Sequence, residues 1–394
     1  MTYTTTLIIP FRFECRTGRL ADIDALVKKQ GVWRSTTYSC PNAMPSVAAL
    51  YNSGSRAGMY KASNQAVKAV TKHNKFLLQK GTESCGFSFG DLLLFLFDTG
   101  VGFLCPEVKC DTPAALRRLR TFNVKGVHPF IDHGQNNLEP FSLMTLMEKL
   151  LDFTPSELFF TSSNPHSFAQ AGLLVYAFND SGTPNNEVID SIFTGAGEYV
   201  AKRVHEFQGS DWGISANCAA LVIDPTCRND SGNQYGSLRH NYLPLIVLAL
   251  HAKAAACQFG EDIRTQSGSS DRLREEIAAF LERYLPENVS SAPIKQQVYS
   301  EVKRLNPPET APLTSFLAKD TTGSNVKDKL LGAISLIFSV GSIFSILSDG
   351  INVIQELVPD SMNQVARYGL YGLCAAFAVL GIYGVYLIFK PKKK

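Results

Sequence analysis

The sequence predicts an α/β (α+β) cytoplasmic domain, then a helical stalk, then a two-helix transmembrane hairpin at the C-terminal end. Over residues 1–235, short apolar runs of strand length alternate with helical patterns, the mark of a sheet with covering helices. From 236 to 306 the apolar spacing is helical. Residues 330–347 then give 18 positions without a charge, and 368–389 give 22 more. At about 1.5 Å per residue each reaches across a hydrocarbon layer of roughly 30 Å, the first one barely. The expected division is 1–235 for the α/β domain, 236–306 for the stalk, 307–328 for a linker and 329–394 for the hairpin.

Within the first domain, residues 4–13 form a predicted strand, 21–29 a short helix and 63–79 a longer one. The apolar runs 92–97 and 101–108 flank Asp98-Thr99-Gly100, a hairpin signal. Thr112 as cap and Pro113 in the first turn open a helix over 112–120. Residues 140–152 and 186–207 read as helices, and 157–161, 173–178 and 219–224 as strands. The order of the strands is not legible. Residues 242–259 are apolar nearly all round until His251 and Lys253, but the uncharged run at their start is only nine long. That length predicts a buried helix and not a third span. Leu273, Ile277, Phe280 and Tyr284 make one apolar stripe, and Ile294, Val298, Val302 and Leu305 a second, as amphipathic stalk helices would. Asn306-Pro307-Pro308 and Pro312 interrupt them, because proline lacks the amide donor and clashes with the preceding turn.

Composition narrows the function. Apolar residues at 45% and charged residues at 19% describe a folded chain. Residues 321–394 carry seven Lys/Arg against four Asp/Glu, which leaves 31 of each in the rest of the chain. A balanced soluble part has no basic field for long nucleic acid. Nine scattered cysteines suit a reducing compartment, and residues 1–13 lack the features of a signal peptide. Lys327 and Lys329 precede the first span, and Lys390, Lys392, Lys393 and Lys394 follow the second. By the positive-inside rule both ends are cytoplasmic, as expected of a multi-pass protein of the cell's inner (plasma) membrane. Tyr368, Tyr371, Tyr383 and Tyr386 suit the headgroup layer, so the lipid bilayer is the first expected partner.

The first span carries a polar stripe. Ser335, Ser339, Ser342, Ser345, Asp349 and Asn352 fall within an arc of roughly 140° on one helix face. Small residues of this kind let helices pack closely and hydrogen-bond to each other. The same stripe can also line a water-filled pore, with Asp349 and Asn352 at its outer mouth. Six polar positions ending in an acid are costly in lipid unless wet. One hairpin cannot enclose a conduit, so a pore needs several copies around a symmetry axis.

Gly350-Ile351-Asn352, the acidic loop Glu356-Leu357-Val358-Pro359-Asp360, a Gly/Tyr-rich second span and the tail Lys390-Pro391-Lys392-Lys393-Lys394 together resemble the CorA family of divalent-cation transporters. That family closes its first span on Gly-Met-Asn, and its cytoplasmic helices run unbroken into the membrane. Ile351 in place of Met keeps bulk and loses the flexible thioether, and the prolines near 307 break the helical path. The resemblance covers about 65 residues. It implies a homo-oligomer, a pentamer, that moves Mg²⁺ or another divalent cation past serines, carbonyls and an Asn352 ring, with a divalent cation also as the regulatory ion. CorA-like proteins occur too as ancillary effectors of type III CRISPR antiviral defence, where a small nucleotide ligand is the trigger. The altered tripeptide and the unmatched N-terminal region point toward that alternative.

Other constellations are weaker. Cys105, Cys110, His128 and His133 approach the spacing of a zinc site, though the central spacer is long and Cys105 sits in an apolar run. Asp98-Thr99-Gly100 matches the aspartic-protease tripeptide but occurs once, and Asp-x-Gly is a common turn. Gly195-Ala196-Gly197 and 209–213 lack the strand–loop–helix setting of a phosphate cradle. No enzyme signature is found.

Overall fold

The computed structural model describes residues 3–15, 27, 33–52, 56–62, 75–80, 83–110, 112–120, 128–132, 138–140, 158–161, 172–207, 209–227, 236, 238–265 and 270–318. They form a mixed α/β architecture with a 13-stranded sheet and seven α-helices. The strands are β1 (Tyr3–Cys15), β2 (Trp33–Ser35), β3 (Ala57–Ala62), β4 (Lys75–Lys80), β5 (Glu83–Phe97), β6 (Val101–Cys110) and β7 (His128–Asp132). They continue with β8 (Leu138–Pro140), β9 (Leu158–Thr161), β10 (Gly172–Phe178), β11 (Lys202–Phe207), β12 (Ser210–Ile214) and β13 (Cys218–Ile223). The helices are α1 (Pro45–Asn52), α2 (Pro113–Arg120), α3 (Asn185–Ala196), α4 (Leu243–Thr265), α5 (Ser270–Arg283), α6 (Pro293–Leu305) and α7 (Ala311–Ala318).

The sheet runs β11-β12-β13-β10-β1-β6-β5-β4-β7-β8, with β2 on β3, β3 on β5 and β9 on β1. The pairs are antiparallel except β10 with β13. The long strands do the organising. One edge of β1 pairs β10 through Tyr3–Ile8 and β9 through Arg12–Cys15, while the other edge pairs β6. The expected hairpin over Asp98-Thr99-Gly100 is present as β5–β6.

Side chains alternate across a strand, and here both faces are buried. Leu7, Ile9, Phe11, Leu94, Leu104, Val175 and Val222 join Leu116, Ile189 and Phe193 of α2 and α3 in one core. Phe97, Phe103 and Tyr176 are buried as well but lie outside that core. The Phe97 ring stacks on His251 of α4 at 3.9 Å between centroids and meets Tyr284 edge-on at 6.0 Å. The sheet therefore lies between two helical layers.

Three expectations are corrected. Residues 186–207 are not one helix: α3 ends at Ala196 and Gly197 takes φ 72°, the left-handed conformation open to glycine. The Gly197 amide donates to Thr194 O and the Glu198 amide to Phe193 O, closing a Schellman cap before β11. In the expected helix 63–79, residues 75–79 instead belong to β4, which pairs with both β5 and β7; 63–74 lie outside the described residues. Helices 236–306 are not a separate stalk, because one compact unit spans Met1–Thr310. Their apolar stripes cover the sheet. Arg12 of β1 pairs with Asp262 of α4 at 2.9 Å, and Gln258 donates to Thr99 O at 3.1 Å.

The helical run Leu238–Thr265 is the one among the described residues long and apolar enough to cross a membrane, and 78% of its most apolar window is buried inside the protein. It is a core helix, as its short uncharged run predicts. The expected helices at 21–29 and, beyond Pro140, 141–152 lie outside the described residues except Val27. The second compact unit, Ala311–Lys394, is described at α7, and the expected transmembrane hairpin lies outside the described residues.

Unit 1 closes on Asn306, which is 1% exposed. Its side-chain amide donates to Ala216 O at 2.8 Å and accepts from Lys253 Nζ at 3.0 Å. The end of α6 is thereby tied to the β12–β13 hairpin and to α4.

Phe97 is fully buried among Tyr51, Phe103, His251 and Tyr284. Phe97→Ala removes the ring that joins sheet to helices and is expected to cost about 3–5 kcal/mol. Urea unfolding followed by tryptophan fluorescence checks the value.

Candidate functional site

Charged side chains gather at one irregularity of the sheet. Between Phe89 and Leu92, β5 carries one residue more than β6, a bulge that re-aims its side chains. Facing it, Leu238–Tyr242 form a π-helical turn ahead of α4, a second local departure of the kind frequent at functional sites. Between them, Lys61 Nζ of β3 lies 2.8 Å from Asp91 Oδ2. Arg239 donates to the same oxygen and, through Nη1, to Glu107 Oε2 at 3.2 Å. Gly90 leaves room for this, since a Cβ there would collide with the Glu107 carboxylate.

The side chains of Arg239 and Glu107 are 10% and 11% exposed, and that of Lys61 40%. Burial alone would raise the Asp91 carboxyl, but the hydrogen bonds and charges of Lys61 and Arg239 outweigh it and hold its pKa below the usual value. Burial, then the charges of Arg239 and Lys61, lowers His240. Two cations balance two carboxylates, and Arg239 Nε has no acceptor among the described residues. Of the two cations, Lys61 is the one open to solvent. The hydroxyl of Tyr242 on the same π-turn and the indole N–H of Trp212 on β12 donate to different oxygens of Glu206.

A second polar cluster holds the β5–β6 turn against the helices. Thr99 Oγ1 is 2.8 Å from His251 Nε2, and Asp98 accepts from the Tyr284 hydroxyl. Burial pushes His251 down to about 3, so its ring is neutral at ordinary pH and too weak a base to take a substrate proton there. The pKa of Asp98 is raised by burial, against the hydrogen bond from Tyr284. The protease-like tripeptide is thus a turn anchored to α4 and α5.

A third network lies at the carboxyl ends of the parallel pair, where open α/β sheets commonly place ligands. Asn179 donates to Thr183 O at 2.6 Å and to Asn185 Oδ1 at 2.9 Å, and Asn185 donates to Asp211 Oδ2 at 2.9 Å. His205 Nδ1 lies 2.7 Å from the other Asp211 oxygen. These groups satisfy one another.

The zinc candidates are not brought together. Cys105 and Cys110 stand five apart on β6, hence on opposite faces of the sheet. Burial pushes the Cys105 thiol well up, which disfavours the thiolate a metal needs. His128 begins β7, three strand spacings from β6 or about 14 Å. His133 lies outside the described residues, among which no group of three or more His, Cys, Asp or Glu is placed to hold a metal. Ser335, Ser339, Ser342, Ser345, Asp349 and Gly350-Ile351-Asn352 also lie outside the described residues. Sequence reasoning missed Asp91 and Arg239. The one local signal is an Asp beside Gly90, immediately before the apolar run 92–97.

Comparison with known proteins returns no match: no family model, no characterised relative and no solved structure is similar to the chain.

Two measurements follow from this geometry. Asp91→Asn leaves Lys61 without its ion pair and Arg239 with Glu107 alone; the expected loss is about 1–3 kcal/mol, below the cost of breaking a fully buried pair because Asp91 is partly solvated. A urea midpoint within about 0.5 kcal/mol of the parent would show the cluster to be screened by water. For His251, the unfolded chain takes a proton near pH 6.5 and the folded chain near pH 3. Between those values the unfolded state binds more protons, so stability falls with falling pH, by at most about 1.4 kcal/mol per unit. His251→Phe should flatten that part of the stability–pH curve, and curves parallel to the parent would contradict the assignment.

Proposed function

We propose that the chain is a CorA-like homo-oligomeric membrane channel for divalent cations, a pentamer, whose N-terminal α/β unit gates it in response to a small ligand. The observation that carries this reading is the C-terminal pattern of two uncharged spans, Gly350-Ile351-Asn352, a short acidic loop and a lysine tail. Mg²⁺ gives up its water reluctantly, so serines and a ring of amides suit it better than a wall of carboxylates. A compact unit of residues 1–310 is far larger than an anchor requires. A ligand shifts a closed–open equilibrium only by its difference in affinity for the two states. Coupling of about 1–3 kcal/mol is usual between two sites, and equivalent sites acting on one pore sum.

A second reading makes the pore an effector of antiviral defence that answers to a nucleotide second messenger. The packing of helices 236–306 against the sheet favours it, since CorA transporters carry those helices as a stalk. In that case the ligand-binding chemistry belongs to the α/β unit, with the Lys61–Asp91–Arg239 cluster as the candidate place of contact.

The test uses the full-length chain in liposomes. Light scattering in detergent should return several copies, and reconstituted protein should pass Mg²⁺. Asn352→Leu should cut that flux about tenfold or more while leaving the oligomer intact, because an apolar ring repels the hydrated ion. A monomer would remove the pore, and unchanged flux would move the filter away from Asn352.

A further inference from the structure

The chain has nine cysteines, and among the described residues Cys40 faces a lysine. Cys40 lies in the segment between β2 and α1 and is 9% exposed. Lys295, in the first turn of α6, places its Nζ 3.3 Å from Cys40 Sγ, although 255 residues separate the two in sequence. Both groups are held from the side. Lys295 Nζ donates to Pro41 O at 2.8 Å, and Cys40 Sγ contacts the same carbonyl at 3.3 Å and Asn241 O at 3.8 Å. The neighbouring segment is pinned too: the Ser290 hydroxyl donates to Asn42 O at 2.8 Å, and the Met44 amide to Val289 O at 2.9 Å. The bond from the Lys295 ammonium to Pro41 O is exposed while Cys40 is buried at 9%, so an oxidant approaches the sulfur along the lysine.

We propose that Cys40 and Lys295 form a redox-sensitive cross-link site, closing a covalent sulfur–oxygen–nitrogen bridge when the protein meets hydrogen peroxide. The chemistry balances with two equivalents of peroxide. The first oxidises the Cys40 thiol to a sulfenic acid and is reduced to water. Lys295 gives up one proton to water, and the second equivalent oxidises the free amine to a hydroxylamine, again releasing water. The hydroxylamine oxygen then attacks the sulfenic sulfur and displaces hydroxide, which leaves as a third water with the hydroxylamine proton. The pair gains one oxygen and loses two hydrogens, and a thiol reductant returns it to thiol and amine.

The bridge is selective by position. A sulfenic acid usually meets a second thiol, but Cys40 Sγ lies against Lys295 Nζ, two carbonyls and the side chain of Tyr38, so the hydroxylamine formed on Lys295 is the nucleophile within reach. Closing it fastens the segment before α1 to the helix that leads out of the first compact unit. The proposal is independent of any pore and holds or fails by itself.

The experiment treats the full-length protein with hydrogen peroxide, digests it and looks by mass spectrometry for the Cys40 peptide joined to the Lys295 peptide. The expected product is heavier than the two peptides together by about 14 Da, one oxygen gained and two hydrogens lost, and dithiothreitol splits it. Cys40→Ser abolishes the joined peptide. So does Lys295→Arg, which keeps the positive charge and a donor for Pro41 O, and so separates loss of the bridge from loss of the fold. Oxidation of Cys40 with no link to Lys295, a disulfide from Cys40 to another cysteine, or an unreacted pair would each overturn the proposal.

Discussion

The structure depends on a sheet that cannot leave either face in water. Leu92 to Phe97 are buried on both sides of β5, and all six residues of β13 are buried on theirs. A strand that is apolar at consecutive positions needs a layer on each side. α2 and α3 supply one, and α4 with α5 and α6 supplies the other. This demand decides the fate of residues 236–306, whose apolar stripes are claimed by the sheet before they can serve as an extended stalk. It also explains why a helix oily enough to cross a bilayer, Leu238–Thr265, stays in the protein interior.

Much of this was legible where the signal was local. The β5–β6 hairpin follows from two apolar runs around Asp98-Thr99-Gly100, and α2 from Thr112-Pro113. The buried character of α4 follows from the shortness of its uncharged stretch. The failures have physical causes as well. Residues 186–207 have helical apolar spacing to Ala196, but the pattern has no way to register that Gly197 turns left-handed and hands the chain to an edge strand. Residues 75–79 read as helix because their pairing partners, Ser84–Ser88 and His128–Ile131, are supplied by other parts of the chain.

The candidate site was less legible than the fold, because its members are distant in sequence. Asp91 and Arg239 are 148 residues apart, and their meeting depends on a bulge and a π-turn that no spacing rule announces. The zinc pattern failed for the opposite reason. Cys105 and Cys110 look close in the sequence, yet an odd separation on a strand sends them to opposite faces. Spacing that would suit a loop is meaningless on an extended backbone.

The clamp on Asn306 has a mechanical corollary. Directly after it come Pro307 and Pro308, whose rings fix φ near −65° and remove two amide donors. The chain then turns, the Thr310 amide donating to Pro308 O at 3.0 Å, so these few residues have little slack. With Asn306 gripped by Ala216 and Lys253, the β12–β13 hairpin and α4 together set the bearing on which the chain leaves α6.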